Sequence, residues 1–150
     1  MNLSRAANGA KTLWKRGLLS STINNSNNRM ASTLVISEPL NSDGSTPAGT
    51  QSTVTAATQL GNNEIHLLVV GGTSPSKIPN GVSKVLHAPI DDKLSETVAS
   101  AVLQAASDDC KIVVGTASKF GSTVVPRAAA LLDVSPVTDI LEIVDESEFS

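Results

Sequence analysis

The stretch from Lys111 to Asp139 constrains the fold more than any other part of this sequence. It runs KIVVGTASKFGSTVVPRAAALLDVSPVTD, an apolar β-branched run followed by a small-residue turn, a helical pattern and a polar exit. This order predicts one strand–loop–helix unit. Proline is tolerated only in the first turn of a helix, so the regular helix is expected to begin close to Pro126. Ser122 or Thr123 is expected to cap it.

Similar units precede this stretch along the chain. Short apolar runs predict strands at Thr33–Ser37, Glu64–Val70, Lys84–Ala88 and, last, Ile140–Val144. Helical spacing of apolar residues predicts one helix from about Thr50 to Leu60 and another from Leu94 to Ala105. The alternation of strands and helices predicts an α/β fold of three layers. Its mostly parallel sheet is flanked by helices, in the manner of Rossmann-like and adenine-nucleotide-hydrolase-like domains.

The ends of these two helices carry recognisable capping residues. Thr50 or Ser52 is expected to cap the first helix, and Gly61 stands where a left-handed glycine ends many helices. Asp91 or Asp92 is expected to cap the second. The first helix is rich in threonine, which has a weak intrinsic preference for helix, so packing must hold it in place.

Composition excludes several classes of function. Aromatic residues make up only 2% of the 150 residues, which indicates an aliphatic core and argues against modules that stack nucleic-acid bases. Residues 31–150 carry a net charge of −8, so nucleic acid is not an expected partner. The single cysteine, Cys110, excludes an intrachain disulfide. No stretch is apolar enough over about 18 residues to span a bilayer.

The first thirty residues differ from the rest. They contain five basic residues and no acid, and their apolar residues fall on one side of a helical wheel. A Ser/Asn-rich tract follows. This composition predicts a mitochondrial transit peptide over residues 1–30, removed near Arg29–Ala31, ahead of a single domain at residues 31–150. A membrane-surface helix and a basic tail are the alternatives.

Few residues in the body are candidates for chemistry. His66, His87 and Cys110 have no neighbouring ligands at metal-binding spacing, so each is interpreted as structural. The pair Gly71-Gly72 follows a strand, but the next residues, SPSKIPNG, cannot form a long helix, and the pair therefore lacks the helix amino terminus of a phosphate loop. No catalytic, cofactor-binding or metal-binding residue is predicted.

Two cations in the principal stretch remain open to two interpretations. Lys119 and Arg127 are either contacts to a partner or an anion at the helix start, or ordinary solvated surface residues. A positive charge at the amino end of a helix is unfavourable, which gives Lys119 some weight as a contact residue.

Several pieces of the body resemble the amino-terminal domain of the electron transfer flavoprotein alpha subunit. The matching segments are STLVISE at 32–38, TVTAATQLG at 53–61, KVLHA at 84–88 and GTASKFGSTVVPRAAALLDVSPVTDI at 115–140. The last is the most specific, because its Phe-Gly loop, its Pro-Arg-x-Ala-Ala helix and its Pro-x-x-Asp exit occur in the family's order.

The resemblance implies an electron-carrying subunit rather than an enzyme. It implies a heterodimer with a beta subunit in the mitochondrial matrix, which passes electrons from acyl-CoA and other flavin dehydrogenases to a membrane quinone oxidoreductase and the respiratory quinone pool. In this family FAD is held mainly by the carboxy-terminal domain of the alpha subunit, which has no counterpart here. The chain is therefore expected to contact the beta subunit and not to retain FAD alone.

The sequence departs from the family at residues 72–82, where members usually have a helix between two strands. The segment here is too short and too broken for one, and part of a sheet face is expected to be uncovered. Two alternative functions stay open. One is a free-standing nucleotide-binding α/β protein that uses the loops after Val70 and Val114, and the other is an inactive fragment of a gene.

Overall fold

The computed structural model of this chain describes residues 31–61, 64–92, 94–106 and 110–143. The predicted transit peptide at residues 1–30 lies outside them. The strands are β1 (Ser32–Ile36), β2 (Glu64–Val70), β3 (Lys84–Ala88) and β4 (Cys110–Gly115). The helices are α1 (Ala48–Gln59), α2 (Ser95–Ala105) and α3 (Lys119–Leu132). Strands and helices alternate except between β2 and β3, which confirms the predicted α/β class.

The four strands form one parallel sheet in the order β3-β2-β1-β4. β1 lies inside the sheet, with Val35 opposite Leu67 of β2 on one side and Val114 of β4 on the other. All five residues of β1 are buried. The chain moves outward from β1 to β3, and α2 then connects β3 to β4 on the far side of β1. The order of the strands therefore reverses direction between β1 and β4.

Each face of the sheet is covered, which gives the predicted three layers. One core cluster joins α1 to β1 and β2 through Val35, Val54, Ala57, Ile65, Leu67 and Val69. The opposite cluster joins α2 and α3 to the sheet, chiefly through Leu34, Ile36, Leu68, Val98, Val102 and Val124. Burying one such side chain stabilises the fold by about 1.5–3 kcal/mol. Packing of this size offsets the weak helix propensity of the four threonines in α1.

The connection from β2 to β3, residues 71–83, contains no helix, as the sequence predicted. It is fixed instead to the loop after β1, because Ser76 donates its backbone N–H to the carbonyl oxygen of Gly44 at 2.9 Å. Near its other end, Gly81 has a φ of +94° and lies so close to α1 that an added Cβ would sit 3.1 Å from the Thr58 methyl carbon. A glycine at this position therefore permits the close approach.

The expectation that this short connection leaves part of a sheet face uncovered is correct for β3, where Val85 is half-buried and His87 is exposed, but wrong for β2. Leu67 and Val69 of β2 are 0% and 1% exposed on the face that the missing helix would cover. Val82 and Val85 pack against them from the end of the connection and from β3. β3 also pairs in regular parallel register with β2, from His66 opposite Lys84 onward. A compact loop thus replaces the crossover helix.

The first helix begins earlier than predicted, and its expected cap has another role. α1 starts at Ala48 after Pro47, which provides no side-chain cap. Thr50 is fully buried in the first turn, where its hydroxyl accepts the backbone N–H of Glu38 at 3.1 Å. The predicted glycine at the other end is correct, because Gly61 follows the helix with a φ of +106°.

The start of α2 is close to the prediction. The helix begins at Ser95, and the side chain of Asp92 binds its first turn from two residues before the cap position. One carboxylate oxygen of Asp92 accepts the N–H of Leu94 at 3.0 Å, and the other accepts the Thr97 hydroxyl at 3.2 Å. The prediction that Asp91 or Asp92 is the N-cap is therefore wrong, because Leu94 occupies that position and no side chain caps the helix. Asp92 fixes the approach to the helix, and Asp91 lies against Gly72.

The predicted start of the last helix at Pro126 is wrong. α3 begins at Lys119, and Pro126 lies inside it. Ser118 is the cap, since its hydroxyl oxygen accepts the N–H of Gly121 at 3.2 Å. The proline leaves the carbonyl of Ser122 without its helical donor, but Ser122 is exposed, so water can solvate that carbonyl.

The last predicted strand, Ile140–Val144, is not present as a strand in the described residues. Ile143 forms only an isolated β-bridge, and residues 133–142 are all exposed without regular structure. Val144 lies outside the described residues. Residues 140–143 have the apolar pattern of a strand, but within the described part of the chain they form no ladder beyond the bridge at Ile143.

Candidate functional site

The carboxyl ends of β1, β2 and β3 enclose a cleft of about 320 Å³. Its walls are residues 39–42 and 44 after β1, residues 70–73 at the end of β2, and Asp91 after β3. In open parallel sheets, ligands bind outside the carboxyl ends of the strands at the point where the strand order reverses. That point lies between β1 and β4, so this cleft at the ends of β1, β2 and β3 lies beside it. The loop after Val70, one of the two loops that the sequence offers for a nucleotide-binding crevice, forms one wall.

The Gly71-Gly72 turn at the centre of this cleft is fixed by β3. Gly71 donates its N–H to the carbonyl oxygen of Ala88 at 3.0 Å, and its own carbonyl accepts a hydrogen bond from Nε2 of His87 at 2.7 Å. His87 thus has the structural role that the sequence indicated. Gly72 lies against Asp91, because an added Cβ would be 2.6 Å from the carboxylate oxygen Oδ1.

The second loop singled out from the sequence, Gly115–Gly121, is tightly packed around its glycines. A Cβ on Gly115 would collide with the side chain of Val125, and one on Gly121 would collide with the carbonyl of Thr116. Ser118 occupies the amino terminus of α3, and its hydroxyl also lies 3.0 Å from that of Thr116. These glycines therefore allow close packing of β4 and α3, and the helix amino terminus is capped by the chain's own serine rather than open to a phosphate.

His66 and Cys110 lie at the opposite edge of the sheet, near the amino ends of their strands. Nε2 of His66 is 3.5 Å from Oε2 of Glu64, an exposed carboxylate. Cys110 is 9% exposed and belongs to the core cluster beneath α2 and α3. Burial raises the pKa of its thiol, so the reactive thiolate is disfavoured. The structural interpretation of both residues is consistent with this geometry.

The two cations left open by the sequence are separated along α3. Lys119 is the exposed first residue of the helix, whereas Arg127 lies in its middle and forms an ion pair with Glu96 of α2. The pKa of Glu96 is lowered, first by its own backbone N–H and then by the charge of Arg127. Both partners of the pair are half exposed, so solvent screening keeps its contribution to stability small. Because Arg127 lies in the middle of α3, it is not a contact residue at the helix start.

An exposed apolar segment follows α3. Asp133 ends the helix in the left-handed conformation with a φ of 59°, and the N–H of Val134 returns to the carbonyl of Ala129. Beyond this turn, Val137 is 63% exposed and Leu141 is 92% exposed. Leu131, Val134 and Ile140 are also more than 40% exposed. We call residues 131–141 the apolar exit segment. Five exposed apolar side chains within eleven residues make this segment the candidate surface for contact with other protein.

Two kinds of site are not found in the described part of the chain. No group of three or more His, Cys, Asp or Glu side chains is arranged to hold a metal ion there. Among the same residues, no helix has the length and apolar character required to cross a membrane.

The fold and the apolar exit segment define a class of protein: a small α/β domain with a parallel sheet and an exposed apolar segment after its last helix. Residues 34–149 match the family model described as electron transfer flavoprotein domain. This chain belongs to the electron transfer flavoprotein family, which confirms the resemblance seen in its sequence. As the family's name states, its members are flavoproteins that transfer electrons, which makes them carriers rather than enzymes.

The similar curated proteins are alpha subunits. The chain is 33% identical to the mitochondrial electron transfer flavoprotein subunit alpha of Dictyostelium discoideum, over 94% of this chain and 44% of that protein. It is 36% identical to the mitochondrial protein of Arabidopsis thaliana, over 81% of this chain and 36% of that protein. It is 34% identical to the electron transfer flavoprotein subunit alpha of Pseudomonas aeruginosa, over 77% of this chain and 39% of that protein. The chain spans less than half the length of these relatives.

Proposed function

We propose that this chain acts as the amino-terminal domain of an electron transfer flavoprotein alpha-type subunit and contacts a beta subunit in a heterodimer. The match of residues 34–149 to the family carries this proposal. The apolar exit segment supports it, because a domain that packs against another chain needs an exposed apolar surface.

The complete heterodimer carries electrons from acyl-CoA and other flavin dehydrogenases, through a quinone oxidoreductase, to the respiratory quinone pool. This chain takes part as a structural partner. FAD is held by the carboxy-terminal domain of the family, and this chain alone does not retain it. The purified chain mixed with FAD and then desalted should therefore carry no flavin absorbance. A stoichiometric bound flavin would contradict this part of the proposal.

The location of the protein is the mitochondrial matrix, reached through a transit peptide at residues 1–30. Support comes from the acid-free basic composition of this segment and from the relatives named as mitochondrial. Import into isolated mitochondria followed by amino-terminal sequencing tests it. The mature chain should begin near Ala31, and a mature chain that still begins at Met1 would contradict the assignment.

Contact with the beta subunit is tested by co-expressing the two chains and measuring their affinity. Val137→Asp and Leu141→Asp each place a charge on the apolar exit segment and should weaken binding at least about tenfold, since burying an unpaired charge at an interface costs more than 1.4 kcal/mol. Ile78→Asp is the matched control, because Ile78 is 53% exposed on the β2–β3 connection. Equal affinity of all three variants would contradict a contact through this segment.

A further inference from the structure

The turn at Asn80-Gly81, in the connection between β2 and β3, has the features of a site of spontaneous covalent modification. Both residues of the pair are exposed. The backbone nitrogen of a glycine can attack the side chain of a preceding asparagine, because the absent Cβ leaves that nitrogen open to close approach. The inference does not depend on the role proposed for this chain in a heterodimer.

Neither reacting group is held by a hydrogen bond in the part of the chain that the structure describes. The backbone N–H of Gly81 has no acceptor there, and the side-chain amide of Asn80 has no partner. The connection is fixed on either side of the pair, where Ser76 donates its N–H to the loop after β1 and Ser83 donates its N–H to β2. Rotation about the backbone of Asn80, which the attack requires, therefore breaks no hydrogen bond of either reacting group.

The reaction needs no co-reactant other than water. The nitrogen of Gly81 attacks Cγ of Asn80, so that a new C–N bond forms and the bond from Cγ to Nδ2 breaks. Ammonia leaves with the proton that the attacking nitrogen gives up. Water then opens the resulting succinimide ring. Opening at Cγ gives aspartate, whereas opening at the backbone carbonyl carbon gives isoaspartate, in which the main chain continues through the side chain.

Isoaspartate would disturb the packing of this turn, because it lengthens the main chain by a methylene group. A Cβ on Gly81 would already lie 3.1 Å from the methyl carbon of Thr58 in α1. That methyl group is held in place, since the Thr58 hydroxyl donates to the carbonyl of Thr55 at 2.6 Å. The next residue of the connection, Val82, packs against the core cluster beneath α1. A longer main chain at residue 80 must therefore displace Gly81 or Val82.

We propose that Asn80 converts to isoaspartate through a succinimide formed with Gly81, and that this product loosens the packing of the β2–β3 connection against α1. The combination that carries the proposal is an exposed asparagine, a glycine nitrogen without a hydrogen bond, and close packing of the same glycine against a helix.

The pair Asn41-Ser42 in the loop after β1 is the internal control. Asn41 is also exposed, but its side-chain amide donates to Oγ of Ser45 at 2.9 Å, and its backbone N–H donates to the carbonyl of Ser45 at 3.0 Å. The following residue carries a Cβ. We therefore expect Asn41 to react much more slowly than Asn80.

Incubation of the full chain at mildly alkaline pH, followed by tryptic peptide mapping, tests the chemistry. Trypsin releases residues 78–84 as the peptide IPNGVSK, in which Asn80 is the single amide side chain. The isoaspartyl form of this peptide should accumulate at least about tenfold faster than modification of Asn41. Its rate should rise with pH, because the attacking nitrogen must lose its proton. No isoaspartate at residue 80, or equal rates at the two asparagines, would overturn the proposal.

Two variants separate the longer main chain from the added charge. Asn80→Asp introduces the charge alone, so the incubated wild-type chain, once residue 80 is mostly isoaspartate, should unfold at a lower urea concentration than fresh Asn80→Asp. Asn80→Ser cannot form the ring and retains every other asparagine, including Asn8 of the other Asn-Gly pair. Its unfolding midpoint should not change on incubation, and circular dichroism checks that both variants fold. Equal midpoints of the incubated wild type and Asn80→Asp, or an equal decline in Asn80→Ser, would overturn the structural effect.

Discussion

At the scale of single residues, Thr33, the second residue of β1, has a buried hydroxyl without a hydrogen-bond partner among the described residues. It is 0% exposed, and its Oγ1 makes no hydrogen bond among the described residues. Replacing it with isosteric valine removes the cost of an unsatisfied polar group, so Thr33→Val should raise the free energy of unfolding by about 1 kcal/mol. Urea denaturation followed by circular dichroism measures this change.

Thr50 is the matched control for that substitution. It is equally buried, but its hydroxyl accepts the N–H of Glu38 at 3.1 Å. Thr50→Val should therefore lower the free energy of unfolding by about 1 kcal/mol, because the N–H loses its acceptor. If both valine variants shift stability in the same direction, the assignment of the two hydroxyls is contradicted.

The buried thiol of Cys110 makes stability depend on alkaline pH. Burial raises its pKa above the usual value of 9.0, so above that pH the unfolded chain loses a proton that the folded chain keeps. The contribution of the raised thiol pKa to the free energy of unfolding is complete below pH 9.0 and is lost as pH rises towards the pKa of the folded state. Stability should fall by up to about 1.4 kcal/mol per pH unit in that window. Unfolding measured from pH 8 upward tests it.

The control for this prediction is Cys110→Ala. It leaves a small cavity and lowers stability at every pH, but it removes the thiol that titrates. The chain contains no tyrosine, so the difference between the two curves isolates the cysteine from phenol ionisation. Parallel curves for the two proteins above pH 9 would show that the thiol does not contribute.

At the scale of elements, the start of α3 tests which serine caps the helix. Ser118 accepts the N–H of Gly121, whereas Ser122, the cap expected from the sequence, lies inside the helix and donates to the carbonyl of Lys119 at 3.1 Å. Ser118→Ala should lower the free energy of unfolding by about 1 kcal/mol. Ser122→Ala should change it by less than about 0.5 kcal/mol. A larger loss of stability for Ser122→Ala than for Ser118→Ala would support the later helix start that the sequence predicts.

The same element explains where sequence reasoning succeeded and where it did not. The strands β1–β4 and the glycine at 61 follow from local apolar patterns and turn chemistry, which are written in neighbouring residues. The predicted helix start at Pro126 is wrong because the rule for proline considers only the hydrogen-bond donor that proline lacks. It does not consider that the carbonyl left without that donor, here the carbonyl of Ser122, belongs to an exposed residue. The sequence identifies Asp91 only as a possible cap, because its approach to Gly72 depends on long-range pairing of β2 and β3.

At the scale of the whole molecule, the order β3-β2-β1-β4 places β1 and β2 inside the sheet, and β1 is the more completely buried of the two. β1 is hydrogen-bonded on both sides and buried throughout, whereas β3 and β4 each pair with one neighbour among the described strands. Opening β1 requires disruption of the whole sheet, so its amides should exchange only at the rate of global unfolding. No residue pattern in β1 alone distinguishes it from β2, which is why the sequence did not predict its central position.

The apolar exit segment should lie at the other extreme in a hydrogen-exchange experiment. Residues 133–142 are all exposed in the isolated chain, so, apart from the Asp133 and Val134 amides that bond back to α3, they should exchange within seconds. If this segment contacts the beta subunit, its amides should slow at least about tenfold in the co-expressed complex. The amides of the exposed residues Lys77, Ile78 and Asn80 in the β2–β3 connection should keep their rates and serve as the internal control. Protection of the connection without protection of the exit segment would place the contact on the opposite side of the sheet.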